Sequence, residues 1–96
     1  MQPEEIKRLI EAGLTEASAY VEGDGAHFTA AVICPAFANK TRVQKQQLVY
    51  DTVRPQLLNG TLHALSISTY TPEEWQKLKD DLLADDAQED PNSKEP

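Results

Sequence analysis

The stretch TLHALSISTYTPEEW, residues 61–75, changes its period half-way along. From Thr61 to Tyr70 the side chains alternate, with His63, Leu65 and Ile67 on one face and Leu62, Ala64 and Ser66 on the other, which predicts a β-strand. Thr71-Pro72-Glu73-Glu74 then opens a helix. The threonine hydroxyl can cap, proline fits the first helical position, and Glu74 sits where a capping-box acid reaches back. Trp75, Leu78 and Leu82 come next at helical spacing and give this helix its apolar stripe.

Working outward, Asn59-Gly60 closes a short helix through Leu57 and Leu58. Pro55 lacks a donor and clashes with the carbonyl four residues earlier, so a preceding helix, Arg42 to about Thr52 with Thr41 as N-cap, must break near Val53-Arg54. Pro35 ends an apolar, β-rich run from His27 to Cys34, and Ala36 to Lys40 reads as a connection. Gly23-Asp24-Gly25 supplies turn residues joining that run to an alternating strand, Ala17 to Glu22, in which Tyr20 and Glu22 oppose Ala19 and Val21. At the start, Pro3 suits a first helical turn, Ile6, Leu9, Ile10 and Leu14 recur at helical spacing, and Gly13 reads as the terminator. The order is helix, strand, strand, helix, short helix, strand, helix. A three-stranded sheet covered on one face by helices is the economical packing.

The chain has 96 residues, 40% of them hydrophobic, one cysteine and a net charge of −7. This length allows one domain, without room for separate catalytic and cofactor domains. A single cysteine forms no internal disulfide, which suits a reducing compartment. The apolar run Thr29 to Ala38, interrupted by Pro35, is far shorter than the roughly 20 residues of a membrane span. The opening Met1-Gln2-Pro3-Glu4-Glu5 is unlike a signal peptide. A soluble cytoplasmic protein is expected, with no membrane partner. The acid is concentrated at one end. Residues 80–96 hold seven acids against Lys94, a net −6, while the other 79 residues hold nine acids and eight bases, a net −1. The chain therefore divides into a domain, 1–79, and the end of the last helix with an acidic disordered tail, 80–96, the tail running from Ala87 onward.

No phosphate loop, GxGxxG, HExxH or CxxC occurs. Cys34, the sole thiol, lies at the end of an apolar strand and reads as a small buried side chain. No enzyme is expected. His27, after the Gly-Asp-Gly turn, and His63, after Asn59-Gly60, both sit where side chains reach the end of a sheet. Neutral imidazoles ligate zinc, copper or iron, but two ligands leave a site incomplete, so a partner would have to complete it. An iron–sulfur centre with two histidines on one iron and two thiolates on the other is chemically sound. The plain alternative is a polar hairpin residue and a strand residue. Lys40, Arg42, Lys45 and Arg54, opposed by Asp51, form a mild positive patch that suits an anionic partner or a solvated helix face.

Val21 to Phe28, Arg42 to Tyr50, and Leu62 to Ile67 followed by Thr71-Pro72-Glu73-Glu74-Trp75 together resemble the BolA family, most closely its bacterial IbaG-like branch. The likeness covers about residues 3–78. It implies an α+β, class II KH-like fold, αββααβ with a C-terminal helix and a three-stranded mixed sheet covered by helices. It also implies partnership with a monothiol glutaredoxin around a bridging [2Fe–2S] cluster, in iron–sulfur trafficking or iron and stress regulation. The strand-three histidine, here His63, is then the principal ligand. The second comes from the loop between the first two strands, where His27 falls and Cys34 does not. Glutaredoxin and glutathione supply the thiolates, so the isolated chain holds no cofactor. Family members are also described as DNA-binding transcription regulators, a role for which Lys40, Arg42, Lys45 and Arg54 are the candidate contacts, although Val53 to Gly60 lacks the GxxG clamp of RNA-binding KH domains. Weak homodimerisation is left open.

Overall fold

The computed structural model describes residues 1–25 and 27–89. Helix α1, Pro3–Gly13, begins at the expected proline and buries Ile6 and Ile10 completely. Gly13 is its last residue, but its value lies in packing. A Cβ there would stand 2.6 Å from Thr52 Cγ2, and the left-handed residue that turns the chain is Glu16, at φ 59.

Strands β1, Ser18–Asp24, and β2, His27–Ile33, pair antiparallel, with Asp24 opposite His27, so only residues 25 and 26 connect them. Gly23, expected in the turn, is inside β1 opposite Phe28. Its φ is +130, and a Cβ would lie 2.4 Å from the His27 carbonyl oxygen.

A parallel neighbour needs a long crossover. Here it consists of a 3₁₀ turn, Pro35–Phe37, then α2, Arg42–Thr52, and α3, Arg54–Leu58, before β3, Ala64–Tyr70, pairs parallel with β2. The sheet order is β1-β2-β3. Thr41 caps α2 as expected: its hydroxyl accepts the Gln44 N–H at 3.1 Å, and the Gln44 side chain accepts the Thr41 N–H at 2.9 Å. Val53, at φ −120 and ψ 16, makes the break before Pro55. Phe37, which looked like part of a connection, is core, 1% exposed.

The third strand starts later than its alternation suggests. The Leu62 N–H donates to the Gln56 carbonyl, and the Leu62 side chain is turned into the core at 1% exposure. His63 is consequently exposed and precedes the strand, so the face it was expected to share with Leu65 and Ile67 begins only at Leu65.

Ile6 and Ile10 of α1 and Val49 at the end of α2 pack with Ala19, Phe28, Ala30, Val32 and Leu65 on one face of the sheet. Strand alternation puts Tyr20 and Tyr70 on the other. There Trp75 of α4, Pro72–Glu89, stacks on Tyr20 at 5.5 Å and meets Tyr70 at 5.2 Å, so this face is covered at one end as well. The capping box that starts α4 is present, Glu74 accepting the Thr71 N–H and Thr71 accepting the Glu74 N–H. α4 reaches Glu89, which makes Ala87, Gln88 and Glu89 helical rather than part of a disordered tail, and the division at residue 80 falls inside one helix. Nothing in that acidic stretch breaks a helix before Pro91. The remainder of the expected tail lies outside the described residues. None of the helices described is long and apolar enough to cross a membrane.

At the outer edge of β1 a charged pair from α1 occupies both backbone groups of Ala19. Lys7 Nζ donates to the Ala19 carbonyl at 2.9 Å, Glu11 Oε2 accepts the Ala19 N–H at 3.0 Å, and the two side chains meet at 2.6 Å. The Lys7 ammonium first, and the Ala19 N–H second, hold the Glu11 carboxyl below the usual carboxylate range. A lowered folded-state pKa gives stability that is present above the unfolded value and lost as pH falls through the folded one. The melting-temperature gap between the chain and Glu11→Ala is therefore expected to be widest near neutrality and to close in acid. A gap constant from about pH 7 to pH 3 would contradict this linkage.

Candidate functional site

The two histidines reach the same end of the sheet by different routes. His27 is the first residue of β2, not a loop residue, and the close approach of Gly23 fixes its backbone. His63 is held between Leu62, anchored in the core, and the first residue of β3. Gly60, at φ +82, and an Asn59 side chain that accepts the Thr61 N–H at 2.9 Å turn the chain into this position. Because His27 pairs with Ala64, His63 lies one residue from the register partner of His27. Both imidazoles are exposed.

An exposed pair of imidazoles fits a metal held jointly with another molecule. Among the described residues no three His, Cys, Asp or Glu side chains gather as a metal site. Cys34 cannot be the third donor to this pair. It lies seven residues along β2, about 23 Å at strand rise, fully buried with its thiol donating to the Thr15 carbonyl at 3.4 Å.

The four expected basic residues stand in different surroundings. Arg42 and Lys45 line a groove of about 280 Å³ along the second half of β3. Lys40 lines a separate groove with Val43 and Leu48. Arg54 is hydrogen-bonded to Asp51, and its guanidinium, with Gln47 second, holds the Asp51 carboxyl below the usual range. Lys40 precedes the Thr41 cap and so stands outside the helix that carries Arg42 and Lys45, and Arg54 forms an i,i+3 pair with Asp51. The Arg42–Lys45 groove also takes in Gln46, Ser68, Thr69 and Tyr70, polar residues that sequence reasoning missed. Only the knowledge that β3 is an edge strand singles them out.

Comparison with known proteins bears on the same residues. The family profile described as BolA-like protein matches residues 6–74, which spans both histidines and the whole sheet. The chain belongs to the BolA family. It is 35% identical over 77 residues to the acid stress protein IbaG of Escherichia coli, covering 80% of this chain and 92% of that one. It is also 35% identical over 77 residues to the DNA-binding transcriptional regulator BolA of Vibrio cholerae, covering 80% of this chain and 69% of that protein. Among solved structures, a BolA homologue from Coxiella burnetii superposes with a TM-score of 0.72 at 40% identity, over 79% of this chain and 97% of that one. The BolA fold places this family's sheet and helices as described above.

Proposed function

We propose that this BolA-family chain is a non-enzymatic, cytoplasmic iron–sulfur adaptor that binds a monothiol glutaredoxin and shares a bridging [2Fe–2S] cluster with it, in iron–sulfur trafficking or iron and stress regulation. His63 and His27 are its ligands, and glutaredoxin and glutathione supply the thiolates. The observation that carries the proposal is the β2–β3 register, which sets His27 opposite Ala64 and so brings two exposed imidazoles to one end of the sheet. Two neutral nitrogens make half of a mixed histidine–thiolate cluster site, and a cluster so bound would supply reversible one-electron chemistry and transferable iron and sulfide. Mixing the chain with a monothiol glutaredoxin, glutathione, ferrous iron and sulfide is expected to give a heterodimer with visible absorption. Formation of neither complex nor chromophore would overturn the reading.

A second reading, a DNA-binding regulator, is favoured by the name of the Vibrio cholerae relative and by Arg42 and Lys45, which form no ion pair among the described residues. It is the weaker one. Two unpaired cations predict a slope of log affinity against log salt of only about −2, compared with the steep slopes of proteins that neutralise six or more phosphates. Binding to a promoter fragment is expected to fall on Arg42→Ala and Lys45→Ala. Binding indifferent to salt and to both substitutions would exclude it.

A further inference from the structure

The outer edge of β3 is only partly occupied among the described residues. The Tyr70 carbonyl accepts the Cys34 N–H at 2.9 Å, so Tyr70 directs its backbone groups towards β2. Backbone direction alternates along a strand, and Leu65, Ile67 and Thr69 accordingly direct theirs outward. The Leu65 carbonyl is occupied by the Tyr50 hydroxyl at 3.0 Å. Among the described residues nothing hydrogen-bonds the outward N–H and C=O groups of Ile67 and Thr69. They form an open length of edge beside the groove in which Arg42 and Lys45 stand, and neither cation is in an ion pair among the described residues.

We propose that this length of β3 takes up an extended, acidic segment of a partner protein as a fourth strand, with Arg42 and Lys45 holding its carboxylates. The unpaired groups repeat every two residues, at about 6.6 Å, which is the spacing of donors and acceptors along another β-strand. The side chains beside them are cationic, in a stretch of chain, residues 1–79, whose net charge is only −1, so the groove offers acid a local attraction that its surroundings do not cancel. The chain's own acidic end does not suit the role. Residues 80–89 are helical, and the last seven residues of the sequence include Pro91 and Pro96, each lacking the N–H that a strand needs. Nucleic acid is the poorer match, since two cations neutralise little phosphate and the open edge calls for regularly spaced peptide groups. The site uses neither histidine, so it stands apart from the cluster reading.

The test uses the full chain with a fluorescein-labelled peptide of alternating glutamate and valine, monitored by fluorescence anisotropy and amide NMR. Binding is expected to shift the Ile67 and Thr69 amide signals and to slow their exchange with solvent. The double variant Arg42→Glu/Lys45→Glu is expected to weaken binding by about tenfold or more. Thr69→Pro, which removes an outward donor and leaves the β2 ladder intact, should weaken it as well. A peptide alternating lysine and valine should not bind, and His63→Ala should bind as the parent does. Unchanged Ile67 and Thr69 amides at saturating peptide would overturn the proposal. So would equal binding of the lysine peptide, tighter binding of an oligothymidine, or loss of binding in His63→Ala.

Discussion

His63→Ala is expected to abolish the visible absorption of the heterodimer with glutaredoxin while leaving the far-ultraviolet circular dichroism of the chain unchanged. The two readouts separate because of where the residue sits. Its neighbour Leu62 carries the packing at 1% exposure, whereas His63 is itself exposed and outside the strand. Truncating it opens no cavity, and a surface substitution away from caps and cores usually costs within about 0.5 kcal/mol. The metal site, by contrast, loses one of the only two imidazoles in the chain. His27→Ala should weaken the chromophore less, in keeping with the principal role that the family resemblance gives to His63. His63→Cys offers a control that a merely structural role would not satisfy, because a thiolate also ligates iron and should retain a chromophore with a shifted spectrum. Cys34→Ala should leave the spectrum alone, since that thiol is buried at the far end of β2. Identical spectra for the parent and His63→Ala would remove His63 from the ligand set.

The largest effect on stability is expected from Phe37→Ala. The ring is fully buried in the core against which α1, α2 and the sheet pack, and removing a phenyl group from such a site typically costs about 3–5 kcal/mol. Against a total of about 5–15 kcal/mol for a domain of this kind, that is a substantial share. The midpoint of urea denaturation should fall steeply. Leu58→Ala, at a leucine that is 79% exposed, should leave it nearly unmoved. A loss below about 1 kcal/mol for Phe37→Ala would mean that the 3₁₀ turn is not part of the core.

What could be read from the residues alone was local. Thr41 with Gln44 and Thr71 with Glu74 are capping signals contained within four residues, and Pro55 acts on the turn before it, so these helix boundaries are encoded where they occur. Phe37 was not legible because Pro35-Ala36-Phe37-Ala38 has no period, and only the tertiary fold brings the ring inward. The alternation that placed His63 with Leu65 failed for a related reason: the bond from Leu62 to Gln56 ties the chain to α3 before the sheet begins. Gly13 was recognised as a helix end, but the Thr52 methyl that requires its small size lies 39 residues away in sequence. The histidines were recognisable as residue types near strand ends, whereas their neighbourhood depends on β2 and β3 being adjacent and parallel. For the four expected cations, sequence proximity says little about where each one stands: Lys40 precedes the α2 cap, and Arg54 has Asp51 as a partner.

The Lys7–Glu11 pair on Ala19 also bears on where a strand can be added to the sheet. A strand arriving at β1 would have to evict two charged side chains that already bond each other and both backbone groups of Ala19. Addition of a strand at Ala19 is thus opposed, whereas the β3 edge at Ile67 and Thr69 carries no such obstacle among the described residues.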